Sequence, residues 1–170
     1  ADRLRLHWLA SLEVNAQFAL LSDWADADQA STPTDNALLK EALAQVALLN
    51  AAYPVADGQA LRFLVIHRGR KWCGTEGKWI GWERKRGKLH ELNCLLRGAL
   101  DTNYITVGGV EPVPPAEVRY VITLDADTRL PRDTVCRLIG KMAHPLNRPR
   151  LDAAAGRVVE GYAVLQPRVT

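Results

Sequence analysis

The chain has 170 residues, 48% of them apolar and 24% charged, with a net charge of +3 at neutral pH. That length holds one domain with a sizeable core, the composition is ordinary for a soluble globular protein, and the small charge excess does not by itself mark a nucleic-acid partner. No uninterrupted apolar run reaches the roughly 18 residues expected of a spanning helix, and no basic-then-apolar signal opens the chain. The first residue is Ala1 rather than Met, which leads us to expect a fragment. Cys73, Cys94 and Cys136 are odd in number, far apart and without C-x-x-C or zinc spacing, so reduced thiols in a cytosolic compartment are expected. Surface or core roles are expected for the four histidines.

Along residues 4–15, Leu4, Trp8, Leu9 and Leu12 share one helical face. The run AQFALLSD, ending on Asp23, reads as a buried strand, and 24–34 as a polar loop. Thr32-Pro33-Thr34-Asp35 opens a second helix, with proline favoured in the first turn. Leu38, Leu39, Ala42, Leu43, Val46 and Leu49 form its apolar face, and Tyr53-Pro54 ends it. LRFLVIHR (61–68) is a second strand. A Gly- and Trp-rich loop follows, and a third helix begins at Gly87-Lys88 with Leu89, Leu92, Leu96 and Ala99 on its apolar side. Gly108-Gly109 with Pro112, Pro114 and Pro115 forms a turn-rich connection. VRYVITLD (118–125) is nearly continuously apolar, as a central parallel strand covered on both faces would be. Leu130-Pro131 starts a fourth helix, with Val135, Leu138, Ile139 and Met142 on its face. HPLNRPRLDAAAG is loop, and RVVEGYAVLQPRV a last strand or hairpin arm. Helices alternate with strands, so the expected class is α/β with a mainly parallel sheet.

The tripeptide Asp-Ala-Asp occurs twice, at 26–28 and at 125–127. Ligands of open α/β sheets bind beyond the carboxyl ends of strands. Asp125 and Asp127 sit at such an end, and their oxygens suit Mg²⁺ or Mn²⁺, hard ions that also take phosphate oxygens. The plain alternative for this pair is turn and helix-start chemistry. Asp26-Ala27-Asp28 lies past its strand in a mobile polar loop, and we read it as solvated. Arg84, Lys85, Arg86 and Lys88, with Gly87 at a helix start, make a natural diphosphate site from free N–H groups and positive charge. A solvated charge run is the alternative there. Trp72, Trp79 and Trp82 either pack the loop or stack on sugar rings.

The strings GWERKRGKLHELNCLLRG, YVITLDADTRLPRDTV, MAHPLNRPRLD and GRVVEGYAVLQPRVT closely resemble the glycosyltransferase domain of cyclic β-1,2-glucan synthases. The resemblance runs from FALLSDWADA to the C-terminus. It implies a partial GT-A, Rossmann-like fold of the inverting family-2 type, with UDP-glucose as donor, a divalent metal on an Asp-x-Asp motif, and a growing β-1,2-glucan as product. By this resemblance Asp127 binds the metal, and Asp125 the metal or the ribose. Asp23 recognises the uracil side, while Gly87, Lys88 and Asn93 line the nucleotide site beside Arg84. Gln166 is a strand-borne residue near the donor or acceptor sugar. Three parts of the family pattern are missing: the strand before the first helix, the catalytic-base carboxylate, and the acceptor-binding Gln/Arg/Trp motif. The resemblance therefore implies one piece, 1–170, of a GT-A domain, without transfer activity on its own and with a tendency to self-associate. It would belong to a large bacterial synthase on the cytoplasmic side of the inner membrane. Two other readings stand beside it. A nucleotidyltransferase would want a Gly-rich phosphate loop after the first strand, which is absent. A non-catalytic nucleotide- or carbohydrate-binding or scaffold module would show no metal-dependent UDP binding.

Overall fold

The computed structural model describes residues 1–11, 13–107 and 117–167. Leu12, the Gly108–Pro115 connection and the terminal Arg168–Thr170 of the last expected strand lie outside them. The chain divides into two compact units. The first holds residues 1–6 and 15–119, the second residues 7–14 and 120–170. The helix α1 (Asp2–Ser11) contributes residues to both.

In the first unit, β1 (Phe18–Asp23) and β2 (Phe63–Arg68) pair in parallel, in register from Phe18 opposite Phe63 to Asp23 opposite Arg68. Both strands are rich in aromatic and branched aliphatic residues, which suit a pleated, half-buried surface. The helix α2 (Asp35–Ala52) crosses between them. Its Val46 and Leu49 are buried, while Leu38, from the same expected face, is exposed. Asn50 fastens this helix to β2: its amide donates to the Phe63 carbonyl at 2.9 Å and its side-chain oxygen accepts the Phe63 N–H at 3.0 Å. Phe63, 1% exposed, is ringed by Phe18 and Tyr53 at centroid distances of 6.0 and 6.2 Å.

The Gly- and Trp-rich stretch read as loop contains a hairpin, β3 (Lys71–Cys73) and β4 (Lys78–Ile80), with Trp72 opposite Trp79. Three-residue strands show no alternation long enough to read from sequence. The helix α3 (Arg84–Leu96) begins before the expected Gly87 and buries Gly87, Glu91 and Leu95 rather than its leucine stripe alone. It ends on Gly98, whose φ of +88° suits a residue without a Cβ.

In the second unit, α4 (Thr134–Ala143) presents Val135 buried and Leu138, Ile139 and Met142 half-buried, the face expected from spacing. A 3₁₀ turn at Pro145–Asn147 leads to a hairpin of β5 (Arg150–Asp152) and β6 (Arg157–Glu160). The Asp152 carboxylate closes its turn by accepting the N–H groups of Ala154 and Ala155 at 2.9 and 3.0 Å.

The protein is thus mixed α/β, built from short strands. Among the described residues there are three two-stranded sheets, one parallel and two antiparallel. Residues 118–125, expected as the central strand, form no strand, and Val118, Val121 and Leu124 are 40%, 46% and 36% exposed. An apolar run gains strand geometry only with a hydrogen-bonding neighbour, and the described residues give it none. No helix among the described residues is long and apolar enough to cross a membrane.

Candidate functional site

The carboxyl ends of β1 and β2 carry opposite charges, Asp23 and Arg68, in direct register. Arg68 is fully buried. A buried guanidinium is tolerated only when its donors are met, and here they are. Nε donates to Asp23 at 2.6 Å and Nη1 to Glu91 at 2.5 Å. Nη2 donates to the carbonyls of Trp82 and Arg84, both at 3.1 Å. Burial works against the charged form of Arg68, but the bonds to Asp23 and Glu91 outweigh it, so its pKa is raised. Glu91 spends its other oxygen on Asn103, accepting from the backbone N–H at 3.1 Å and the amide at 2.6 Å.

Of the residues named from the sequence, this network brings Asp23 and Lys88 together. Asp23 accepts from Arg68 through one oxygen and pairs through the other with Lys88 Nζ at 2.8 Å. The Lys88 carbonyl accepts the Tyr104 hydroxyl at 2.8 Å, and burial raises the pKa of that hydroxyl. Gly81 and Gly87 permit the closeness. A Cβ on Gly81 would stand 3.0 Å from the Asp23 carboxyl carbon, and one on Gly87 would collide with the Trp82 carbonyl oxygen. Glu83 and Arg84, just before and at the start of α3, have φ of 50° and 48°. Left-handed backbone at non-glycine residues costs roughly 1–3 kcal/mol each and persists where neighbours over-determine it. Arg68, bonded to the carbonyls of Trp82 and Arg84, supplies that restraint.

Two expectations need correction here. The Gly87 N–H is not free, since it donates to the Glu83 carbonyl at 3.0 Å. The helix starts earlier than the glycine suggests, and Gly87 is in its first turn rather than ahead of it. Arg84 does not stand open either: it pairs with Asp26 at 2.7 Å and Glu76 at 2.6 Å. Asp26, itself exposed, is tied to the start of α3 by that surface ion pair. Ala27 exchanges two backbone hydrogen bonds with Trp79, at 3.0 and 2.8 Å. The first Asp-Ala-Asp is anchored to the hairpin through Ala27 and to the start of α3 through Asp26, and both of its carboxylates are exposed.

Asn93 is exposed on α3, two residues beyond the buried Glu91. In the second unit, Asp125 and Asp127 are exposed at a turn closed by the Thr128 N–H donating to the Asp125 carbonyl at 3.0 Å. Gln166 is exposed and lies beyond β6, so it is not strand-borne as expected; the described residues give that segment no pairing partner. No cluster of three or more His, Cys, Asp or Glu side chains able to hold a metal occurs among the described residues. The three cysteines are free.

Sequence reading missed Arg68, Glu91 and Asn103. The readable signal was an arginine closing an otherwise apolar strand, LRFLVIHR. It also missed the pair of Arg70 and Asp35, joined at 2.5 and 3.0 Å, which holds the start of α2. His67, given a bland role, is buried with Nδ1 against the Ser22 hydroxyl at 2.8 Å and its ring edge-on to Trp24. Burial lowers its pKa, in keeping with a neutral core imidazole.

No family model matches the chain. Over 167 residues, 98% of its length, it is 50% identical to the cyclic beta-(1,2)-glucan synthase NdvB of Rhizobium meliloti (strain 1021). The chain is related to a glucan synthase. It spans 6% of that protein's length, so the relationship is to a small part of a much larger chain.

Proposed function

We propose that this chain is the nucleotide-sugar-binding part of an inverting glucosyltransferase that makes β-1,2-glucan from UDP-glucose. The observation that carries the reading is the 50% identity to a β-1,2-glucan synthase along nearly the whole chain. The juxtaposition of Asp23 and Lys88 at the carboxyl end of a parallel strand pair supports it, because that end is where α/β sheets take their ligands. A larger GT-A sheet, the rest of a membrane-bound bacterial synthase acting on its cytoplasmic side, and self-association of the chain belong to the same proposal.

In this reading Asp23 accepts hydrogen bonds from the uracil, and Lys88 turns its ammonium to the diphosphate. Gly87 allows the backbone of α3 to approach, while Arg84 and Asn93 line the same nucleotide. Gln166 contacts a sugar. Both cations reach the diphosphate by exchanging partners, since Lys88 is held by Asp23 and Arg84 by Asp26 and Glu76. Exchange costs little at Arg84, whose side chain is 54% exposed.

The residues at 125–127 fit Mg²⁺ or Mn²⁺: two carboxylates one residue apart, both exposed on a turn, leave room for the waters and phosphate oxygens such ions keep. Asp127, with Asp125, would hold the ion, which would supply charge stabilisation for the departing UDP. The test is glucan synthesis by a synthase that carries this segment. Asp127→Asn abolishes incorporation from UDP-glucose, because a neutral amide is a poor ligand for a hard cation. Asp28→Asn leaves it nearly unchanged. Comparable loss from both would assign the metal to the wrong copy.

A second reading, a non-catalytic binding or scaffold module, is favoured by one observation: the basic groups of the α3 start are already matched by carboxylates. It differs in predicting no metal-dependent UDP binding.

A further inference from the structure

Trp72 stands on the hairpin of the first unit with 52% of its surface exposed. Its cross-strand neighbour is Trp79, with ring centroids 6.0 Å apart and planes at 61°. The strand of Trp79 is gripped on its far side by Ala27 through two backbone hydrogen bonds. Residues opposite one another in a ladder share a face, so that face carries Trp72, Trp79 and Ala27 in a row. The strand that carries the inner indole is paired on both sides, and that indole buttresses the outer one. Ala27 adds only a methyl, Trp79 is half-buried, and Trp72 is the exposed ring of the row. An aromatic ring of this size held outward on a pinned scaffold leaves apolar surface in water that a ligand would cover.

We propose that the Trp72–Trp79 pair is a stacking platform for the glucose rings of a β-glucan, a carbohydrate site separate from the nucleotide residues. It rests on the reading of the chain as part of a glucan-making enzyme. The chemistry of the occupant follows from the ring. A β-glucopyranose carries its hydroxyls equatorially, so both faces are lined by C–H bonds that are apolar and slightly positive. The indole face is apolar and slightly negative. The other natural occupant of a hairpin that bears Trp and the exposed Lys71 and Lys78 is an anionic lipid surface, and the vesicle arm of the test below separates it from the glucan. Arg84 is matched by Asp26 and Glu76, Arg86 by Glu83 and Lys88 by Asp23, which leaves the neighbouring α3 start far less cationic than its sequence reads. The glucan is the occupant favoured here, because the indole face suits the C–H faces of its rings and the related protein is a glucan synthase by name.

The platform also has a physical link to the residues of the nucleotide proposal. The hairpin turn supplies Glu76 to Arg84, and Trp79 supplies backbone bonds to Ala27 beside Asp26. A glucan seated on Trp72 would therefore bear on the same small scaffold that holds Arg84.

The test is a titration of the chain with a β-1,2-linked gluco-oligosaccharide, without nucleotide, read by tryptophan fluorescence and calorimetry, beside a separate titration with UDP. The wild-type chain gives a saturable response to the oligosaccharide. Trp72→Ala weakens it by about tenfold or more, the scale of one lost aromatic stack, and leaves the UDP response unchanged. Trp72→Tyr, which keeps an aromatic face, retains most of the binding and decides the matter should the alanine variant lose the hairpin. No saturable response in the wild type, equal binding by wild type and Trp72→Ala, loss in Trp72→Tyr as complete as in alanine, or binding to phosphatidylglycerol vesicles in place of the oligosaccharide would each overturn the platform. Oligosaccharide binding without UDP binding would leave the platform standing and remove the nucleotide reading. The reverse outcome would do the opposite.

Discussion

Arg68 shows how much a single buried charge organises. Its guanidinium ties the last residue of β1 to a residue on α3 and to two carbonyls of the left-handed turn before that helix. A lysine could not reproduce this, because its ammonium is a point charge without the planar fork. Gly87 is the other fixed point. Its missing side chain lets α3 pass against the Trp82 carbonyl, which itself accepts from Arg68. Gly87→Ala therefore forces the turn and helix apart. Overpacking of this kind costs roughly 1–3 kcal/mol, and thermal unfolding of the variant should show a clearly lowered midpoint. An unchanged midpoint would mean that the turn is softer than its bonds suggest. The sequence singles out Gly87 and Lys88, but the local reason it gives for the glycine does not hold. A glycine beside a basic run reads as a helix start, whereas here it marks a close approach inside the first turn.

At the scale of elements, the start of α2 depends on one carboxylate. Asp35 accepts from the Thr32 N–H at 2.8 Å and the Thr32 hydroxyl at 2.6 Å, and Arg70 grips it with two donors. The hydrogen bond from Arg70 holds the Asp35 carboxyl far below the usual carboxylate range, and burial only partly opposes it. The folded pKa is thus depressed below an unfolded value of about 3.9. The stabilisation is fully present above that value and is lost as pH falls through it toward the folded one. Chemical denaturation at a series of pH values should show stability falling below about pH 4. Asp35→Asn should be less stable at neutral pH and show a shallower acid decline. An identical acid slope in the variant would place the acid sensitivity elsewhere. Helical spacing revealed α2 and α4 well, because a periodic apolar face is a local property. The hairpin at 71–80 and the stretch at 118–125 were misread for the opposite reason. Both depend on which backbone lies alongside, and a run of apolar residues does not say that.

For the molecule as a whole, the two copies of Asp-Ala-Asp fall in different units. The first is structural at Asp26 and Ala27, through Arg84 and Trp79. The second is exposed on a turn, and the proposed reading gives its two carboxylates a metal. The sequence distinguished the copies by their distance from a strand end. The structure ties the first copy to Arg84 and Trp79, while the strand expected before the second copy is not formed. Charge balance was equally hidden. The basic run at 84–88 reads as open charge, yet Arg84, Arg86 and Lys88 each have a carboxylate partner, two of them distant in sequence. Their availability to a diphosphate depends on exchange, and a nucleotide that brings both negative charge and a metal can drive it.

Calorimetric titration of the chain with UDP-glucose, with and without Mn²⁺, tests the central claim most directly. The account predicts binding that requires the metal and weakens by about tenfold in Lys88→Ala, as the loss of one charge-assisted hydrogen bond would give. Lys88→Gln should not restore it. Absence of binding to the folded chain, or an affinity indifferent to both Mn²⁺ and Lys88, would contradict the nucleotide-sugar reading and favour the scaffold.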